Sequence, residues 1–294
     1  MKKKKLLSIF FMLGVFLLIL TGCGKQNTTS SKKINIVTST NIYANIAQNI
    51  VGKYGTATPI IKSGAVDPHD FEPTTNDAKS IQNAQLVIAN GLGYDDWIDK
   101  LADANNKSVT KVGNDILKLP TNANPHIWYD LEMPTKYTKY LVKQLSKLDK
   151  KHASYYQKQG NKYLKQIDKV KAIAAKIDGK HSKPVYVSEP VFDYALQATH
   201  FTIGDKDFEE AIEKETDPSP QVINKMTNNI NKKKIAFFVN NTQVQSSTVD
   251  SFIKKAKAHQ IPILSVRETM PTGDSYLSWI TENYQNLAKI TKKN

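Results

Sequence analysis

Short runs of β-branched and apolar residues alternate along the chain with polar stretches in which apolar side chains recur every three or four positions. Residues 34–38, 58–61, 86–89 and 109–112 predict one set of strands. Residues 185–187, 235–239 and 261–266 predict a second set, with a weaker candidate at 201–203. Strands that alternate with helical stretches build parallel α/β units. Between the two sets, residues 131–177 carry no strand signal, and Tyr156, Tyr163, Ile167, Val170, Ile173, Ala174 and Ile177 fall at roughly helical spacing. Asp130 or Asp149 is placed to cap this helix, and Gly179 to end it. The expected fold is α/β, with two lobes joined by one long rigid helix and a site in the cleft between them. Each lobe is a mostly parallel sheet flanked by helices. The expected boundaries are 34–148 for the N-terminal lobe, 149–179 for the linking helix and 180–294 for the C-terminal lobe.

The front of the chain has a different character. Four lysines at 2–5 precede a largely apolar run of 15 residues at 6–20, too short to span a bilayer and the right length for a signal-peptide core. Leu20-Thr21-Gly22-Cys23 then has the form of a bacterial lipobox, in which Cys23 is lipidated and becomes the mature N-terminus. Residues 1–22 are read as the lipoprotein signal peptide and 23–33 as a flexible polar tether. The mature protein is expected on the extracellular face of a Gram-positive type of cell membrane, held by the lipid on Cys23.

Composition narrows the function. Apolar residues make up 40% and charged residues 23%, which fits a globular protein and excludes a disordered or fibrous one. The net charge is +14, and removing the four leader lysines lowers it to +10. Arg267 is the sole arginine, so the guanidinium forks that read phosphates and guanine edges are missing. The lysines therefore read as a solvated basic surface, with no nucleic-acid partner. One cysteine excludes an intrachain disulfide and a cysteine-rich zinc site.

Two of the six histidines sit in proline-stiffened loops just past strands: His69 in Asp67-Pro68-His69-Asp70, and His126 in Asn124-Pro125-His126. His152 and His259, beside lysines, are expected to face solvent. In open parallel sheets, ligands bind beyond the carboxyl ends of the strands. Glu189 and Glu268 follow strands of the second set in the same way. Glu215 and Asp217 sit beside prolines in what reads as a turn, and Asp274 reads as a helix N-cap. Two imidazoles and two carboxylates converging in a cleft suit a divalent first-row metal and balance its charge. Nucleophile elbows, phosphate loops, zinc-protease helices and dinucleotide glycine fingerprints are absent, so no catalytic residue is expected.

Several segments occur in the order found in one family. They are the lipobox, Asp67-Pro-His-Asp-Phe-Glu-Pro, Asn124-Pro-His-Ile-Trp, Ser188-Glu-Pro-Val-Phe-Asp-Tyr, Asp217-Pro-Ser-Pro, Asn241-Thr-Gln-Val-Gln-Ser-Ser and Thr269-Met-Pro-Thr-Gly-Asp-Ser-Tyr. In these the chain resembles the metal-binding solute-binding lipoproteins of bacterial manganese, zinc and iron ABC importers. The resemblance implies one divalent ion held between the lobes by His69, His126, Glu189 and a fourth ligand. Glu268 is the best candidate for the fourth, with Asp274 behind it. It further implies a permease with its ATPase subunit as partner, a monomer, and capture without catalysis. No histidine lies between His69 and His126, where zinc-type relatives often carry a His-rich loop. With glutamate at 189, the site is expected to favour Mn²⁺, with Zn²⁺ next. The rival readings are a surface adhesin or structural lipoprotein, a metal-dependent hydrolase with an open coordination position, and a binder of some other solute.

Overall fold

A computed structural model describes residues 33–66, 68 and 71–292. The signal-peptide segment, the lipobox with Cys23 and almost all of the tether lie outside the described residues, as do Asp67, His69 and Asp70. Strands β1 (Ile34–Thr40), β2 (Gly55–Ile61), β3 (Leu86–Ala89) and β4 (Val109–Lys111) pair in parallel in the order β2-β1-β3-β4. A second parallel sheet joins β5 (Tyr186–Val187), β6 (Phe238–Asn241) and β7 (Ile263–Val266) in that order. The weak strand expected at 201–203 is reduced to one parallel bridge between Val185 and Ile203.

Burial explains why these runs become central strands. In β1, Ile36, Val37, Thr38 and Ser39 are all buried, so both faces of the strand are covered, as in a doubly flanked parallel sheet. Helix α1 (Asn41–Val51) covers it with Ile42, Ile46 and Ile50, four residues apart and fully buried. Helix α2 (Thr75–Gln82) begins at a capping box in which Thr74 and Asp77 satisfy each other's backbone donors. Helix α3 (Trp97–Asp103) leads from β3 towards β4.

The strandless stretch forms two helices, the second of which is the long linking helix. These are α4 (Glu132–Leu148) and α5 (Ala153–Ala174), separated by a tight turn at Lys150–His152. Asp130 precedes α4, whose N-cap position is Leu131, and accepts the Glu132 backbone N–H at 2.9 Å. Asp149 does not cap: its carboxylate accepts from His152 Nδ1 at 2.6 Å and from the Tyr156 hydroxyl at 2.8 Å. His152 is therefore not solvent-facing, because its ring also stacks on Tyr54 with centroids 3.8 Å apart. Helix α5 has 22 residues, a length of about 33 Å. It buries Tyr156, Gly160, Tyr163, Ile167, Val170 and Ala174 in alternating steps of four and three, one continuous stripe. The helix ends before Gly179, whose Cβ position is occupied by the Phe201 ring.

Helix α10 (Tyr276–Thr291) follows the second sheet in sequence yet packs along α5 and α1. The Tyr276 N–H donates to Asn45 Oδ1 at 3.0 Å, and the Tyr284 hydroxyl donates to the Tyr129 carbonyl at 2.8 Å. Its N-cap is Ser275, which accepts from the Ser278 N–H. Asp274, the residue read as the cap, is exposed in the preceding turn. Among the described residues no helix is long and apolar enough to cross a membrane.

The second lobe adds α6 (Asp193–Ala198), α7 (Lys206–Glu213), α8 (Pro220–Asn231) and α9 (Ser247–Ala258). Beneath β5 it buries three carboxyls, Asp193, Asp205 and Glu209, each with 5% exposure or less. Asp205 accepts the Val187 N–H at 3.0 Å and so anchors β5. Burial pushes all three carboxyls upward, and Asp193 and Asp205 push Glu209 further, with Lys206 opposing only in part. A raised carboxyl contributes its full stability below the ordinary value of about 4 and loses it as pH rises through the folded value. Glu209→Gln removes the group with the strongest like-charge burden. The thermal midpoint of the variant should therefore gain on that of the wild-type chain steadily as pH rises from 5 to 9. Parallel melting profiles across a pH series would contradict this.

Candidate metal centre

The carboxyl ends of the strands in both sheets lead into the same polar cleft. In the first sheet the chain leaves β1 in one direction for β2 and then crosses to the other side for β3, which opens a crevice at that end. The loop after β4 carries His126, which is fully buried. Asn90, at the end of β3, donates to the Pro125 carbonyl at 3.1 Å and holds this loop in place.

Asn124 decides how the His126 ring faces. Its Nδ2 donates to the Pro190 carbonyl at 2.6 Å, which turns its Oδ1 towards His126. That oxygen accepts the His126 backbone N–H at 2.9 Å and lies 2.7 Å from ring Nδ1. An amide oxygen only accepts, so Nδ1 carries the proton and Nε2 of the neutral ring presents a lone pair. This is the orientation that a metal-ligating histidine requires.

Nε2 looks towards carboxylates of the second lobe. Glu268 Oε1 stands 3.9 Å away and Glu213 Oε1 stands 4.0 Å away. Glu268 follows β7, and the buried Tyr94 donates to its Oε1 at 2.9 Å. Glu189 follows β5, and Asn241, the last residue of β6, donates to its Oε2 at 2.7 Å. Glu189 and Glu268 line one cavity of about 880 Å³ together with Glu215, Asp217, Gln243 and Arg267. Among the described residues no three His, Cys, Asp or Glu side chains close into a ready-made cage, and His69 is outside them. Asp274 is exposed and does not line this cavity. Sequence reasoning passed over Glu213, which looks like one more helical acid, and the orienting roles of Asn124, Asn241 and Tyr94. Asn124 and Asn241 did stand inside the recognised segments.

Links between the lobes fix the geometry. The Tyr129 hydroxyl donates to the Arg267 carbonyl at 2.6 Å, next to Glu268. The Gly64 carbonyl, in the loop after β2, accepts from Thr269 Oγ1 at 2.6 Å and Arg267 Nη2 at 2.9 Å. A Cβ at Gly64 would lie 2.3 Å from the Met270 carbonyl oxygen, so glycine is what lets the two backbones meet.

Two parallel α/β sheets, bridged by a long helix and facing each other across a cleft with an oriented imidazole, define the class of two-lobed solute-binding proteins. The chain belongs to the family described as periplasmic component A of the zinc-uptake complex, ZnuA, which matches residues 36–290. Members of this family are transport components rather than enzymes. The manganese ABC transporter substrate-binding lipoprotein PsaA of Streptococcus pneumoniae is 28% identical, over 98% of this chain and 99% of its own length. The metal ABC transporter substrate-binding lipoprotein SloC of Streptococcus mutans is also 28% identical, over 97% and 98%. Among solved structures, FpvC of Pseudomonas aeruginosa in complex with Mn²⁺ superposes with a TM-score of 0.73 at 20% identity, covering 89% of this chain and 99% of that one. A manganese-bound variant of a periplasmic metal-binding protein from Candidatus Liberibacter asiaticus gives 0.71 at 21% identity, covering 88% and 100%. At that identity, the structural likeness speaks for the fold.

Gly64→Ala should force the loop after β2 away from residues 269–271. The expected cost is about 1–3 kcal/mol of stability, with a measurable loss of ion affinity. Thermal unfolding together with calorimetric titration checks both, and an unchanged midpoint would show that the two loops separate freely.

Proposed function

We propose that the chain is the lipid-anchored, extracellular solute-binding component of an ABC importer. In this reading it captures one divalent transition-metal ion in the cleft and delivers it to a membrane permease, whose ATPase subunit lies on the cytoplasmic side. His69, His126, Glu189 and Glu268 are the proposed ligands, and Cys23 the lipid anchor. The observation that carries the reading is the buried His126 ring, whose Nδ1 is committed to Asn124 while Nε2 faces Glu268. The donors fit an ion: one nitrogen lone pair is presented, and both carboxylates are steadied by outer hydrogen bonds from Tyr94 and Asn241. Glu268 is preferred to Asp274 because it lies beside His126, whereas Asp274 is exposed in its turn.

The oxygen-rich donor set favours Mn²⁺ as cargo, with Zn²⁺ next. Affinity alone runs the other way, because mixed nitrogen and oxygen sites generally hold Zn²⁺ more tightly than Mn²⁺. Selectivity then rests on coordination geometry, on metal supply and on which loaded form the permease can open. The polar links across the cleft and the long α5 favour small closing movements over a wide hinge. The lipid keeps the protein near its permease and raises its effective concentration there.

Calorimetry on the full chain in detergent should find one divalent ion per chain. His126→Ala should weaken binding by about a hundredfold or more, because it removes a nitrogen donor from a small ligand set. Glu268→Gln should weaken it strongly as well, while Asp274→Asn should not. The reverse order for the last two variants would move the fourth ligand to Asp274, and wild-type affinity in His126→Ala would overturn the reading.

A further inference from the structure

We propose that Glu213 is a fifth protein donor to the captured ion and biases the site towards manganese over zinc. This rests on the capture reading given above and adds a ligand to it. Glu213 comes from the end of a helix, whereas Glu189 and Glu268 come from strand ends. Its Oε1 is 4.0 Å from His126 Nε2, almost the separation of Glu268 Oε1 from the same nitrogen, 3.9 Å. Two donors each about 2.1 Å from one ion stand no more than about 4.2 Å apart, so both carboxylates are within reach of an ion seated on Nε2.

The local fold holds Glu213 in this position. It is the last residue of α7, and Phe208 and Ile212 of the same helix are buried in the lobe beneath. The helix closes with a paired turn in which the Thr216 N–H returns to the Ala211 carbonyl at 2.8 Å and the Glu215 N–H to the Ile212 carbonyl at 2.9 Å. That turn places Glu215 at φ +51, a left-handed conformation that usually falls to glycine, so the end of the helix is sharply defined. A carboxylate in the last turn is disfavoured by the helix dipole, while a cation there is favoured. A bound ion would oppose the dipole's repulsion of the Glu213 carboxylate.

The chemistry of the ion follows from the count of donors. Two neutral imidazoles with Glu189 and Glu268 balance a 2+ charge, and Glu213 makes the site one charge more negative. It also raises the protein donors from four to five. Zinc is satisfied by four donors in a tetrahedron, whereas manganese prefers more oxygen ligands and octahedral surroundings. The fifth donor therefore strengthens manganese binding and adds little for zinc.

The test compares Mn²⁺ and Zn²⁺ titrations of the full chain in detergent with those of three variants. Glu213→Gln keeps the shape and removes the charge. Glu213→Asp keeps the charge and draws it back by one methylene. Glu210→Gln removes an equal charge from the same helix, from a side chain that pairs with Lys214 at the surface. Glu213→Gln should lose about tenfold to a hundredfold in Mn²⁺ affinity and less than about threefold in Zn²⁺ affinity. Glu213→Asp should lose an intermediate amount of Mn²⁺ affinity, and Glu210→Gln should match the wild-type chain for both ions. The paramagnetic resonance spectrum of bound Mn²⁺ should change in Glu213→Gln and not in Glu210→Gln. Equal losses for both ions, no loss for either, or the same loss in Glu210→Gln would overturn the assignment of Glu213 and leave the capture reading standing. A wild-type chain that takes up neither ion would overturn both.

Discussion

The Asn124 side chain sets the direction in which the cleft can bind anything. Because its NH₂ is committed to the Pro190 carbonyl, its oxygen must accept from both the backbone and Nδ1 of His126. One amide thus joins the first lobe to the residue after Glu189 and turns the Nε2 edge of a buried imidazole towards Glu213 and Glu268. The same lobe-to-lobe contact is reinforced by Tyr94 on Glu268, Tyr129 on the Arg267 carbonyl and the Gly64 carbonyl on Thr269. Each link is an ordinary hydrogen bond worth on the order of 1 kcal/mol. Their shared effect is positional: the carboxylate that follows β7 is held near a nitrogen that follows β4.

That placement serves capture better than turnover. His126, Glu189 and Glu268 are each oriented by a hydrogen bond with Asn124, Asn241 and Tyr94 respectively, so little side-chain freedom would be lost if an ion entered between them. The supporting frame is equally fixed. Helix α5 runs the length of the core as one buried stripe, and α10 returns from the second sheet to pack on it. The end of the chain therefore ties the second lobe to the first, which limits the motion open to the cleft.

Much of the architecture was legible in the sequence because it depends on local patterns. The run at 86–89 forms a strand with those same bounds, and the other main runs each overlap a strand whose ends differ by three residues or fewer. The long linking helix was legible at 149–179 and spans Ala153–Ala174, while the helix before it, Glu132–Leu148, falls in the stretch assigned to the first lobe. Asp149 looks like a cap, but in the folded chain its carboxylate serves His152 and Tyr156. His126, Glu189 and Glu268 could be nominated because each follows a strand, a relation that sequence order preserves. Glu213 could not, since its nearness to His126 depends on how α7 packs in the second lobe and on the tight turn at Glu215 that ends it. Asn124 was visible as part of a segment but not as the group that fixes a tautomer, because Pro190, its second partner, is 66 residues away. His69 and Cys23 lie outside the described residues, so their assignment rests on the sequence alone.

The most direct measurement is anomalous diffraction at the manganese edge from crystals of the protein grown with Mn²⁺. Metal capture in the cleft requires one strong peak there, within bonding distance of His126 Nε2 and of carboxylate oxygens from the second lobe. An empty cleft, or a peak bound elsewhere with His126 Nε2 turned away from it, would overturn capture at this site.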